Sequence, residues 1–262
     1  RILPPQQVEV TLRSLAEPKP TTFRANTLKS SAREIRQRLT EEGFRLEPVS
    51  WYPDAFILRQ GRLRELQETE AYRSGAVYVQ SLSSMIPPLV LEPRPGETVL
   101  DLTAAPGSKT TQLACLMQGQ GRIVANDNNR VRFFKLQANV QAQGARNVEC
   151  LLRDGWMIGR THSEQFDRVL LDAPCSAEGR FDAHEPSSYR YWKPAKIREM
   201  ARKQKSLMFA AASSLKPGGR LVYSTCTFAP EENEGIVDWA LKKFIGQLRL
   251  EPIRLPVGNV AA

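Results

Sequence analysis

The chain is poor in the residues that build metal centres and disulfide frameworks. Among 262 residues it has four cysteines, Cys115, Cys150, Cys175 and Cys226, and two histidines, His162 and His184. The cysteines are far apart and form no C-x-x-C pair, which argues against a zinc site and suits a reducing compartment. No metal is expected. A long uncharged apolar run is also missing. The longest, around Met85 to Leu91, is short and contains Pro87-Pro88, so neither a membrane span nor a membrane partner is expected. There is no internal repeat and no low-complexity tract. The chain opens with Arg1 rather than Met, which reads as a fragment and leaves a removed targeting segment open. These features suit an intracellular protein, with the cytoplasm expected before a nucleus or an organelle.

What is present in excess is positive charge. Thirty-seven Lys and Arg face 28 Asp and Glu, a net charge of +9. That balance favours a polyanionic partner, nucleic acid first and an anionic membrane second. The basic residues are spread over several groups, from Arg33, Arg36 and Arg38 to Arg198, Arg202, Lys203 and Lys205. Any one group reads as a solvated helix face; their sum favours nucleic acid. Hydrophobic content of 41% and charged content of 25% are ordinary for a soluble globular protein.

Residues 1–75 read as a small α+β segment, expected to contact RNA once a nucleic acid partner is granted. "TTFRAN" and "AFILR" are strand-like. Between them lies a helix with capping-box spacing at Ser31 and Glu34, a shared face at Ile35 and Leu39, and a stop at Gly43. Residues 76–262 read as the larger domain. From Glu97 onward, strands "ETVLDL", "RIVAND", "NVECLLRD", "FDRVLLDAP" and "RLVYSTC" alternate with helices at Lys109 to Met117, Arg130 to Gln143, Pro194 to Leu215 and Glu231 to Phe244. Such alternation predicts a doubly wound α/β fold with a parallel sheet, whose ligands bind beyond the carboxyl ends of the strands.

Each of those strand ends carries a polar or reactive group. The first opens into "DLTAAPGSKT", where small residues and Gly107 allow close approach of a ligand. No G-x-G-x-x-G is present, and the first glycine of a P-loop is missing. Taken alone, this loop is a plain strand-to-helix turn. Asp127 ends the second strand, where such folds hold ribose hydroxyls; an N-cap is an equal reading. Asp154 follows the third and also reads as a turn aspartate. Asp172 and Cys175 end the fourth, and Cys226 the fifth. Cys115 and Cys150 suit buried structural thiols, whereas Cys175 and Cys226 lie in turns at the ligand edge.

"DLTAAPGSKT", "ANDNN", "RDG", "DAPCSAEG" and "YSTCTFAPEENE", in this order, resemble the RNA cytosine-5 methyltransferases of the Fmu/Sun/RsmB family, also called the NSUN family. "TTFRANTL" is similar to that family's N-terminal segment. The resemblance implies a Rossmann-like fold, S-adenosylmethionine as cofactor and ribosomal or transfer RNA as substrate. It implies Cys226 as nucleophile, Cys175 as the group assisting product release, Asp172 on the cytosine edge, and Lys109 with them in the catalytic set. The loop Thr103, Ala104, Ala105, Pro106, Gly107, Ser108 and Lys109 would wrap the methionine and ribose, Asp127 the ribose hydroxyls and Asp154 the adenine. Asp172 also borders the cofactor, and Arg132 matches a basic position common in the family.

Thr103, Ser108 and Ala177 depart from the family's usual residues without removing a needed group. The end at Ala262 falls short of the family's usual final strand, so a C-terminal truncation is expected, and a protein partner supplying RNA selectivity is expected with it. Three alternatives stand beside this reading. A DNA cytosine-5 methyltransferase would use Cys175 and leave Cys226 idle. A nitrogen methyltransferase would need no cysteine. A non-catalytic RNA-binding module could keep the same fold.

Overall fold

The structure, a computed structural model, describes residues 5–253. The expected C-terminal truncation and the opening Arg1 lie outside them. Helix α1 (Pro5–Ala16) leads into a compact α+β unit of β1 (Thr22–Ala25), α2 (Ala32–Glu41), β2 (Arg45–Val49), β3 (Tyr52–Gln60), α3 (Leu63–Glu68), α4 (Glu70–Arg73) and β4 (Val77–Val79). Its four strands form an antiparallel sheet in the order β2-β3-β1-β4. Ser31 caps α2 with the reciprocal Glu34 bond its spacing predicts, and Ile35 and Leu39 bury against Phe23 and Phe56. Because β4 pairs with β1, this sheet runs past the boundary expected at residue 75.

Helix α5 (Leu82–Leu91) connects the two sheets. It is the apolar run with Pro87-Pro88, and it packs against the larger sheet's elements. The larger unit then runs β5 (Thr98–Asp101), α6 (Ser108–Leu116), β6 (Arg122–Asp127), α7 (Arg130–Gln143), β7 (Val148–Leu152), α8 (Gly155–Thr161), β8 (Phe166–Asp172), α9 (Pro194–Ser214), β9 (Leu215–Ser224) and α10 (Glu234–Lys243). All neighbouring pairs are parallel, in the order β7-β6-β5-β8-β9. The order turns back at β5, where such sheets open a ligand crevice. Alternate residues feed the two faces. Val99, Ile123 and Leu170 bury on one side, and Leu100, Val124, Val169 and Leu171 on the other. A sheet covered on both faces explains why these strands read as continuous apolar runs.

Two boundaries differ from the sequence reading. Leu215 opens β9 rather than closing α9, and Pro217, Gly218 and Gly219 form an irregularity inside the strand. Gly218 has φ +78°, and a Cβ on Gly219 would lie 2.9 Å from the Asp167 carbonyl. Helix α10 begins at Glu234, because Pro230 to Asn233 are used in a turn closed by Gly235 N–H donating to the Pro230 carbonyl.

The small sheet is bolted to the large unit through "FRAN". Arg24 is fully buried and donates to Gln80 Oε1 (2.9 Å), Thr111 Oγ1 (2.8 Å) and the Ser108 carbonyl (3.3 Å). Asn26 Nδ2 donates to the carbonyls of Gly75 (2.8 Å) and Gln143 (2.7 Å). These bonds hold the first turn of α6 and the end of α7, the two helices that flank the β5 crevice.

Candidate active site

The segment from Thr103 to Lys109 runs from the loop after β5 into the first turn of α6, at the sheet's carboxyl edge. Ala104 N–H donates to the Asn126 carbonyl (2.7 Å), tying the loop to β6. Gly107 takes φ +104° at the N-cap, and a Cβ there would sit 3.0 Å from Leu136, so the turn requires glycine. No side chain caps α6. Its first-turn N–H groups are therefore donors for a carboxylate.

Asp127 is buried at the end of β6. It accepts from Asn129 N–H (2.9 Å) and Ala105 N–H (3.3 Å), and it pairs with Arg132 (3.2 Å). Asn129, not Asp127, caps α7. Arg132 also donates to the Ala105 carbonyl (2.6 Å), so it clamps the loop to the aspartate rather than pointing only into solvent. Asp154 stands at the N-cap of α8 and accepts from Asn128 Nδ2 (3.0 Å). Loop, Asp127 and Asp154 thus occupy successive strand ends across one edge. They fit a ligand with a carboxylate, ribose hydroxyls and an adenine amino group, the polar parts of S-adenosylmethionine.

The ends of β8 and β9 carry the thiols. Cys175 and Cys226 are both free, with their sulfurs 3.1 Å apart, and Cys226 N–H donates to Cys175 Sγ (3.3 Å). The Cys175 thiol donating to Cys226 is the largest influence lowering the Cys226 pKa; burial opposes it, and the charges of Arg180 and Lys109 assist. Cys175 is pushed up by that same bond and by burial. The two sulfurs are thus within hydrogen-bond reach of each other at the mouths of β8 and β9. Next to them Lys109 Nζ meets Asp172 Oδ2 at 2.6 Å and donates to Ser84 Oγ (3.0 Å). Ser224 Oγ holds the other Asp172 oxygen (2.7 Å), and Thr103 Oγ1 donates to the Asp172 carbonyl (2.8 Å). Cys115 is buried and accepts from Arg24; Cys150 is half-buried in β7, away from the crevice.

Sequence reasoning missed a set of residues behind the thiols. Glu232 is buried, and accepts from Ser176 N–H (3.1 Å), Gln204 Nε2 (2.7 Å) and, at close range, Ser176 Oγ. Ser176 follows Cys175, and Glu232 lies on the loop after Cys226, so this carboxyl clasps the two cysteine loops. Glu178 faces the same serine hydroxyl (2.8 Å) and accepts from Thr227 and from Trp192 Nε1 (2.8 Å). Burial raises the Glu232 pKa more than its hydrogen bonds lower it. Burial also pushes Glu178 up, but bonds from Thr227, its own backbone, Ser176 and Trp192 outweigh it and leave Glu178 low. Ser176 Oγ lies between Glu232 and Glu178 and links the two carboxyls. The only signal in the sequence was the acidic "PEENE" itself.

Among the described residues no cluster of His, Cys, Asp and Glu could hold a metal ion, and no helix is long and apolar enough to cross a membrane.

Residues 88–258 match the model of the 16S rRNA methyltransferase RsmB/F family, and residues 1–82 match that of the N-terminal domain of 16S rRNA methyltransferase RsmF. The tRNA (cytosine(49)-C(5))-methyltransferase of Pyrococcus abyssi is 43% identical over 249 residues, covering 93% of this chain and 76% of that protein. Ribosomal RNA small subunit methyltransferase F of Shewanella loihica is 40% identical over 226 residues, covering 84% of this chain and 46% of that protein. The chain thus spans about half the length of the methyltransferase F relatives it matches. A solved methyltransferase homolog protein from Pyrococcus horikoshii superimposes with a TM-score of 0.83 at 37% identity, covering 93% of this chain and 76% of that one. With its strand order, its crevice and two matching family models, the chain belongs to the RsmB/F family of 16S rRNA methyltransferases.

Proposed function

We propose that this protein methylates carbon 5 of a cytosine in RNA, with S-adenosylmethionine as the methyl source and Cys226 as a covalent nucleophile. The observation that carries the reading is the pair of free thiols 3.1 Å apart at neighbouring strand ends, beside the Lys109–Asp172 ion pair. When bound, S-adenosylmethionine supplies an electrophilic methyl sulfonium. The loop from Thr103 to Lys109, with Asp127, Arg132 and Asp154, would hold it.

Carbon 5 of cytosine is a weak nucleophile. Addition of the Cys226 thiolate to carbon 6 forms a C–S bond and moves the ring electrons toward carbon 5 and nitrogen 3. Nitrogen 3 takes a proton from solvent as its electron density rises, and Asp172, oriented by Lys109 and Ser224, accepts a hydrogen bond from that N–H and stabilises the adduct. Carbon 5 can then take the methyl group. Release requires transfer of the carbon 5 proton to a base or to water; its electron pair restores the ring double bond as the C–S bond breaks and Cys226 leaves as thiolate. Cys175, at 3.1 Å, is placed to assist that step. The target base must leave its stack, at a cost of roughly a few kcal/mol, least in single-stranded RNA.

The relatives act on transfer and ribosomal RNA by name, and the excess positive charge supports an RNA substrate of either class. A cytoplasmic location, where both thiols stay reduced, and a partner that sharpens RNA choice complete the proposal. The small N-terminal unit is proposed to contact the RNA. Transfer of labelled methyl groups to total RNA, with 5-methylcytosine recovered after nuclease digestion, tests the reading. Transfer to DNA, or to a ring or exocyclic nitrogen, would overturn it.

A further inference from the structure

We propose that the aromatic loop from Phe181 to Trp192 is a stacking shelf for a nucleotide adjoining the target cytosine, with Tyr191 as its principal contact. This rests on the RNA reading above and adds where the neighbouring base goes. The shelf is built onto the nucleophile's own loop. Phe181 packs between Tyr189 (ring centroids 5.9 Å apart) and Trp192 (6.0 Å). Trp192 Nε1 donates to Glu178 Oε1 (2.8 Å), Thr227 donates to the same carboxylate, and Thr227 follows Cys226. Gly179 N–H donates to the Cys226 carbonyl (2.9 Å), and the Phe228 ring reaches within 3.8 Å of a Cβ built on Gly179.

The rings face outward. Tyr189 and Phe228 are exposed, and Tyr191 is 83% exposed. Single exposed aromatics are ordinary on a protein surface, but a group of them at the mouth of a site marks a ligand surface. The charge around them selects the ligand. Arg180, Arg190 and Lys193 flank the aromatic residues along the chain and form no salt bridge among the described residues. The loop's acids, Asp182 and Glu185, each accept a backbone N–H, from His184 and Ser187, and they form no salt bridge with these cations. Unpaired cations beside exposed aromatic faces are what a single-stranded polynucleotide needs, since phosphates meet the cations and bases stack on the rings.

The test uses the full protein and a fluorescent, mixed-sequence single-stranded RNA with a central cytosine. Tyr191→Ala should weaken RNA binding about five- to 150-fold, the range for loss of one stacked base. Tyr191→Phe should restore it, because the ring and not the hydroxyl does the stacking. S-adenosylmethionine affinity and the salt slope of RNA binding should stay at wild-type values. Removing the base on one side of the target cytosine should weaken wild-type binding to a similar extent and leave Tyr191→Ala unaffected. Unchanged binding by Tyr191→Ala, equal losses from both changes together, or a self-association that Tyr191→Ala abolishes would each overturn the shelf. Methyl transfer by the wild type is scored separately. If the wild type methylates RNA and Tyr191→Ala binds normally, the shelf alone is wrong. If the wild type binds no RNA, both readings fall.

Discussion

Asp127 and Asp101 are both buried carboxyls at strand ends, and their surroundings give them different work. Asp127 has two backbone donors and Arg132, so it can present a charged oxygen to a ribose. Asp127→Ala should weaken S-adenosylmethionine binding by roughly 1.5–3 kcal/mol, the value of one charge-assisted bond, and should also cost stability because the N–H groups of Ala105 and Asn129 lose their acceptor. Calorimetry that finds the affinity unchanged would remove the aspartate from the cofactor site. Asp101 has a single donor, Thr110 Oγ1 at 2.7 Å, and burial pushes its pKa up to about 7. The folded chain therefore binds this proton more tightly than the unfolded chain does. Its contribution to stability is full below the unfolded carboxylate range and is lost as the pH rises through about 7. Asp101→Asn cannot show that dependence. Between pH 4 and 7 the wild type should lose stability relative to Asp101→Asn by on the order of a few kcal/mol in urea titrations. A constant difference across that range would mean that Asp101 is charged in the fold.

At the scale of elements, the site depends on loops after β8 and β9 being held in one geometry, and Glu232 does the holding. Glu232→Leu would strand Ser176 N–H and Gln204 Nε2 in the interior, at about 1–3 kcal/mol for each unsatisfied group. The melting temperature should fall by several degrees, and covalent capture of RNA should slow while S-adenosylmethionine affinity holds. Glu232→Gln should recover most of both, since an amide of the same shape can still accept from Ser176 N–H and Gln204 Nε2. Adduct formation at the wild-type rate in Glu232→Leu would show that the clasp is only structural. Glu232 also marks the limit of what the sequence revealed. Elements announced by local chemistry were legible: the Ser31–Glu34 box of α2, the span of α7 up to Gly144, and the apolar runs of the parallel strands. Cys175 and Cys226 stood out because their strands ended at one edge. The three residues of β4 were too few to show a period, and the Pro217-Gly218-Gly219 irregularity inside β9 read as a turn. The clasp could not be read at all, because Ser176 and Glu232 meet only after β8 and β9 pair.

For the whole molecule, the net charge of +9 is distributed over many helices, and RNA binding should be largely electrostatic. Affinity should fall at least tenfold between about 50 and 200 mM salt. A salt-insensitive dissociation constant would mean that the basic faces do not meet phosphate. The small sheet is fixed to α6 and α7 through Arg24 and Asn26, so its packing braces the two helices beside the β5 crevice. The central claim is that the two thiols serve successive steps of one reaction, and a denaturing gel of protein incubated with labelled total RNA and S-adenosylmethionine tests it most directly. Cys175→Ala should accumulate a slow-migrating protein–RNA band, because it can attack but releases poorly. Cys226→Ala and the double variant should show no band, and Cys226→Ala should transfer no methyl group. An active Cys226→Ala beside an inert, band-free Cys175→Ala would contradict the account, since it would make Cys175 the nucleophile.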